Sequence, residues 1–176
     1  MKVNPKYSYE FNCILNENFK ETEQIKNFAS LISDKDRFLS MLPFIEKNSK
    51  LIEEKSGFKL PKEIDFYIVR AEKFKSFSEP ITIEYSLLPE EMIAFLLKEI
   101  VKTYSTTRFT DEITREKYIN SFIDYIIING DFGNLNLIKF GKNLHEESKS
   151  KYENYEYLKL DFDKKTLKRQ IEELYE

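Results

Sequence analysis

The sequence predicts an α+β chain, a helix-rich single domain with a small sheet. Three observations carry that prediction. Two short runs of strand formers, Ile64 to Val69 and Ile81 to Tyr85, lie between long stretches whose apolar residues recur every three or four positions. Only 4 Gly and 5 Pro interrupt 176 residues, so the helical stretches have few forced breaks. Hydrophobic residues at 41%, with 15 Phe and 11 Tyr, require a packed core, and a chain of this length suits one core better than two.

Taken in order, residues 7–57 form the helical N-terminal part. From Tyr7 to Phe19 the spacing fits both alternation (Tyr7, Tyr9, Phe11, Cys13, Leu15) and a helical face (Tyr7, Phe11, Ile14, Leu15), with helix the preferred reading. Ile25, Phe28, Ala29 and Ile32 give a clear helical period, and Ser33 with Asp34 offers the end of that helix and the cap of a second. The second helix carries Phe38, Leu39, Leu42 and Ile45, meets Pro43, where a bend is expected, and stops at Gly57.

The centre, 61–130, reads strand, strand, helix, helix, with sheet residues at 63–70 and 80–86. Pro89 followed by Glu90 and Glu91 is a strong helix start, because proline is pre-shaped for the first turn and acids favour the dipole. That helix runs to about Tyr104. A longer one begins near Thr110 or Asp111 and ends at Asn129-Gly130. A short helix is expected within Leu135 to Ser148. The C-terminal part, 153–176, is expected to supply a strand at Tyr155 to Phe162 and a helix capped by Asp163 that carries Leu167, Ile171 and Leu174. The Lys- and Glu-rich stretch from Glu146 to Glu156 reads as a solvated loop or helix end.

Charge and motif content exclude several functions. The 28 Lys and Arg against 31 Asp and Glu leave a net charge of -3 with the signs interspersed, so nucleic acid is not expected as a partner. Cys13 alone cannot close a disulfide, no leader pattern opens the chain, and no apolar run approaches the ~20 residues of a membrane span. A cytoplasmic protein with no membrane contact is the expectation. The four glycines, at 57, 130, 133 and 141, assemble neither a P-loop nor a dinucleotide fingerprint, so no cofactor is expected. His145 is the one histidine, in a polar Leu-His-Glu-Glu context that suggests a surface role, and Cys13 reads as a small core residue. No nucleophile elbow accompanies them.

One segment carries a family resemblance. Ile81-Thr82-Ile83-Glu84-Tyr85 followed by the helix from Pro89 resembles the strand and active-site helix of zincin metallopeptidases, with Lys98-Glu99-Ile100-Val101-Lys102 standing where that family has H-E-x-x-H. Further on, REKYINSFIDYII is similar to the E-x-x-A-N-x-F-A helix of zincins that cleave antirepressors on mobile elements; Glu116, Asn120 and Phe122 match, and Ile119 and Ile123 replace alanines. The resemblance, confined to residues 81–128, implies that Lys98 and Lys102 occupy the places of the two histidine ligands, Glu99 that of the general base and Glu116 that of the third, carboxylate ligand. Two lysines for two histidines remove metal affinity, so no metal is expected.

Independently of the family, Glu112 and Glu116 share the side of their helix that bears Ile119, Phe122, Ile123 and Ile126, which aims Glu116 inward. Lys98 and Lys102 are like charges one turn apart, to which Glu99 or Glu116 could be the counter-charge. Without the resemblance, Lys98, Glu99 and Lys102 read as a solvated helix face. The functional expectation is a non-catalytic binding or interaction protein, with a possible protein partner, on a degenerate metallopeptidase-like scaffold. The alternatives are a metal-independent enzyme using these lysines and glutamates as acid and base, or one member of a defence or toxin–antitoxin pair.

Overall fold

A computed structural model describes residues 1–7, 23–69, 81–86, 88–105, 109 and 111–176. Strand β1 (Lys2–Tyr7) is followed by helices α1 (Glu23–Lys47) and α2 (Ser49–Ser56), strands β2 (Glu63–Val69) and β3 (Thr82–Glu84), and helices α3 (Pro89–Tyr104), α4 (Glu112–Asn129), α5 (Ile138–Lys151) and α6 (Leu167–Glu173). The α+β, helix-rich architecture with a small sheet is therefore the observed one.

The sheet has the order β1-β2-β3 and is parallel throughout, with Val3 opposite Ile64 and Ile68 opposite Ile83. On the central strand Ile64, Phe66 and Ile68 are buried while Glu63 and Asp65 face out; Val69 at its end is buried as well. Helix α1 lies against that sheet by Phe38, Met41, Leu42 and Ile45, with Phe38 edge-on to Phe66 at 6.1 Å between ring centroids. Helix α3 is central: Met92, Ile93, Ala94, Leu96, Leu97, Ile100 and Val101 are all buried, and it touches α1, β3, α4 and α5. A helix enclosed on nearly every side has no solvated face for its polar residues. One hydrophobic cluster reaches from Val3 to Ile171.

Several expectations are corrected. The N-terminal part begins with a strand, β1, which sequence reading did not anticipate; the preferred helix over 7–19 and the core role of Cys13 fall outside the described residues, apart from Tyr7, whose backbone ends β1. The expected junction at Ser33 and Asp34 is absent, since α1 runs through both; a capping preference of about 1 kcal/mol does not force a helix to stop where it can continue. Pro43 is accommodated inside α1 on its exposed side.

The break comes instead at Asn48. Its side chain donates to the carbonyls of Phe44 and Asp131, at 2.6 and 2.7 Å, and accepts from the Asp131 amide at 2.7 Å. This one residue ties the α1–α2 junction to the turn after α4. Gly130 is needed there, because a Cβ on it would stand 2.7 Å from Asn48 Oδ1 and 2.6 Å from the Ile126 carbonyl. Gly57 ends α2 at φ +80°, as expected of a left-handed cap.

Residues 155–162 are not a strand. They have no ladder partner among the described residues, and lay Tyr155 and Phe162 into the core while Glu156, Lys159 and Asp161 face out. Apolar residues spaced along a segment record burial on one side, which a strap lying over helices satisfies as well as a strand does. The last helix is capped by Thr166, whose hydroxyl accepts from the Arg169 amide, while Asp163 accepts from the Tyr125 hydroxyl at 2.5 Å. The N-cap of α4 is Asp111, accepting from the Thr114 amide at 2.6 Å.

Candidate functional site

Three of the four candidate residues meet between α3 and α4. Helix α3 puts Lys98 and Lys102 one turn apart on the side facing α4, and the i, i+4 repeat of α4 puts Glu116, Asn120 and Asp124 in one row along the facing side. Lys98 Nζ donates to Glu116 Oε2 at 2.5 Å and Lys102 Nζ to Oε1 at 3.1 Å, so the two ammonium groups share one carboxylate. Glu112 adds a second acid 3.6 Å from Lys102. Arg115 donates to the Lys102 carbonyl at 2.8 Å and so satisfies one of the free carbonyls at the end of α3.

The solvated-face reading of Lys98 is thereby corrected. Lys98 is 8% exposed and Glu116 5%, because the side of α3 away from its apolar arc is covered by α4 and α5. Glu99 does not join the cluster: it is half-buried, and among the described residues it makes no hydrogen bond or ion pair, although its charge reaches Lys102. Burial by itself would raise the Glu116 carboxyl, but the charge and hydrogen bond of Lys98, then the charge of Lys102 and the Ser148 hydroxyl, hold it at about 2. Burial works to lower Lys102, and the charges of Glu116 and then Glu99 outweigh it, so the ammonium is held above its ordinary range.

From Glu116 a chain of buried polar groups continues through residues that sequence reading gave no role. Ser148 of α5 donates to Glu116 Oε2 at 2.7 Å, Asn120 Nδ2 donates to Ser148 Oγ at 2.9 Å and to Tyr155 Oη at 3.1 Å, and Tyr155 meets His145 Nδ1 at 2.6 Å. His145 Nε2 then meets Asp124 Oδ2 at 2.5 Å. A neutral imidazole carrying its proton on Nε2 fits every link, with Tyr155 donating to Nδ1 and Nε2 donating to the carboxylate. Burial, opposed by the hydrogen bond from Asn120, pushes the Tyr155 hydroxyl up to about 12, so it stays a donor.

The expected surface role of His145 is also corrected, since it is 7% exposed and both ring nitrogens are engaged. The polar Glu-Glu context belongs to its neighbours on the outer side of α5. Asn120 Oδ1 has no hydrogen-bond partner among the described residues. The spacing that could have revealed this network is the row Glu116, Asn120, Asp124 in α4 with His145 and Ser148 three apart in α5. Phe122, the remaining match to the family motif, is a core residue packed edge-on against Phe162 at 5.2 Å.

Among the described residues no three His, Cys, Asp or Glu side chains gather so as to hold a metal ion, and none of the helices is long and apolar enough to cross a membrane. Comparisons with protein-family models, with curated proteins and with solved structures give no match.

Proposed function

We propose that this chain is a cytoplasmic, non-catalytic interaction protein on a metallopeptidase-like scaffold, in which the ammonium groups of Lys98 and Lys102 take the place of a metal beside Glu116. The observation that carries the reading is the shared carboxylate: Glu116 lies 2.5 Å from Lys98 Nζ and 3.1 Å from Lys102 Nζ. The residues that the resemblance places as first, second and third ligands thus converge, with cations standing on the residues themselves. The positive charge that a zinc ion would bring to the α3–α4 contact comes here from side chains. It holds the two helices together without presenting an open coordination position.

The electrostatics favour this over acid–base catalysis by the same cluster. A general base works best with a pKa near the operating pH. A carboxyl at about 2 is a poor proton acceptor, and a lysine held above its ordinary range gives up its proton reluctantly. Glu99, at the place of the general base, has no partner in the cluster to orient it.

On this reading the protein binds another protein and needs no nucleic acid or cofactor. The test has two arms. Peptidase assays on casein and on unfolded polypeptide, with and without added zinc, are expected to show nothing above buffer, and affinity capture at physiological salt is expected to recover a stoichiometric protein partner. Zinc-dependent cleavage abolished by Glu99→Gln would overturn the proposal.

A further inference from the structure

At the end of the polar chain remote from Lys98, α4, α5 and the strap after α5 enclose a recess of about 320 Å³. Its size is at the lower end of small-ligand pockets. Six large hydrophobic side chains are exposed among the described residues, and three of them line this one recess: Ile128 at 65%, Ile138 at 50% and Tyr157 at 63%. Apolar surface left in water is thus concentrated around one concavity, which is where exposed apolar groups signify binding.

The polar groups in the recess are unequal. His145 contributes no free nitrogen, because Nδ1 is engaged by Tyr155 and Nε2 by Asp124. Asp124 spends only Oδ2 on that contact; Oδ1 has no donor among the described residues. Gly141 lets α5 come close beside it, since a Cβ there would stand 2.6 Å from Oδ1. A carboxylate held by a neighbour on one oxygen and vacant on the other is an acceptor waiting for a donor, and Glu146 adds a second acid against a single cation, Lys142. The Tyr157 ring packs against His145 with 4.7 Å between centroids and a tilt of 50°, and its hydroxyl is raised by burial and then by the charge of Asp124, so the field of that carboxylate reaches the aromatic wall.

We propose that this recess binds an organic cation, an ammonium or guanidinium group on an apolar stem, with the charge at Asp124 and Glu146 and the stem against Ile128, Ile138 and Tyr157. The isoleucines remove the stem from water, the tyrosine ring offers a cation–π face, and the vacant oxygen supplies a charge-assisted hydrogen bond. A free amine and the side chain of a lysine or arginine present the same chemistry. The site is independent of how the Lys98 cluster is read.

The test is a titration of the ¹⁵N-labelled protein with 2-phenylethylammonium chloride, followed by amide shifts. 2-Phenylethanol and phenylacetate serve as the neutral and anionic counterparts, and blocked lysine and arginine amides as the side-chain forms. The ammonium probe is expected to bind with a dissociation constant on the order of millimolar, shifting amides of 124–128 and 138–146. The neutral and anionic probes are expected to bind at least about tenfold more weakly, as one lost charged contact implies. Binding of the free amine alone assigns a small-molecule site; binding of the blocked amino acids as well assigns a site for a basic side chain. Asp124→Asn is expected to lose the preference for cations. Ile138→Lys, at an exposed position where folding is not at stake, is expected to abolish binding by placing a fixed cation at the rim. Equal binding of all three phenyl probes, no ammonium binding in the millimolar range, or retention of binding in Ile138→Lys would overturn the proposal.

Discussion

Replacing Glu116 by glutamine leaves two ammonium groups facing an uncharged amide. Lys98 then has no ion-pair partner among the described residues, and Lys102 keeps only Glu112 at 3.6 Å. The fall of the Glu116 carboxyl from 4.5 to about 2 corresponds to about 3 kcal/mol of native-state stabilisation at neutral pH. The loss of one partner from a buried pair independently suggests about 3–5 kcal/mol. Against a total stability of about 5–15 kcal/mol, such a loss is a large fraction. The sign with pH follows from the direction of the shift. A carboxyl depressed in the folded state stabilises it above the unfolded value near 4.5, and that stabilisation is lost as pH falls toward 2. Urea unfolding of the native protein and of Glu116→Gln should therefore differ by about 3 kcal/mol at pH 7 and by roughly half that or less near pH 3. Lys98→Met and the double variant complete a cycle. The double variant should be less destabilised than the two single changes together by about 2 kcal/mol, because it removes both members of the pair. A difference that does not change between pH 7 and pH 3, or a coupling below about 0.5 kcal/mol, would refute the assignment of Glu116 as the shared counter-ion.

Other perturbations test separate parts of the structure. The double change Lys98→His and Lys102→His places two imidazoles one turn apart beside Glu116; on the metallopeptidase-like reading it should bind zinc with a micromolar or tighter dissociation constant (about 8 kcal/mol or more), measured by chelator competition, and no binding above the native protein would count against that ancestry. Tyr155→Phe strips a partner from both Asn120 and His145 and should cost about 1–3 kcal/mol in urea unfolding, with an unchanged urea dependence; a cost near zero would mean that the buried row is not a connected network. Asn48→Ala removes three hydrogen bonds, and should cost about 2–4 kcal/mol and abolish slow hydrogen exchange at the Asp131 amide; retained protection there would show that the turn holds itself. Gly57→Ala, at φ +80° with Thr166 Oγ1 and Lys168 Cβ only 3.1 Å from the new methyl, should lower stability by about 1–2 kcal/mol, read as a fall in the midpoint of thermal unfolding.

Much of the helical frame was legible because its signals are local. Pro89 with Glu90 and Glu91 and Gly57 as a terminator act within one turn of themselves and stand where they were expected, and the helix expected to begin near Thr110 or Asp111 is capped by Asp111. Strands β2 and β3 were legible as short runs of strand formers. Strand β1 was not, because its partner lies about sixty residues away and Pro5 within it weakens any local reading. The strap at 155–162 was misread for the converse reason: its sidedness is local, but the absence of a ladder partner is a tertiary fact. Of the candidate site, Glu116 was placed correctly by its position among inward-facing isoleucines. His145, and Lys98 on the reading made without the family resemblance, were placed in solvent because a charged or polar side chain is assigned to the surface unless its partner is known. Both partners lie on other helices, 18 and 21 positions distant. Buried polar residues become visible only in pairs, and the pairs here are joined through space.

The all-parallel sheet has a consequence for how the chain must be made. Strand β1 precedes its neighbour in the sheet, which begins only at Glu63, by all of α1 and α2. β1 and β2 cannot pair as a hairpin, since parallel pairing requires the crossover between them to be finished first. β2 in turn exposes an edge until Thr82 to Glu84 has been synthesised, and the face formed by Ile64, Phe66 and Ile68 stays in water until α1 docks upon it. Vectorial synthesis thus passes through a stage in which β1 has been made and its parallel partner β2 has not. That is the interval in which translation rate and chaperone occupancy decide between folding and self-association.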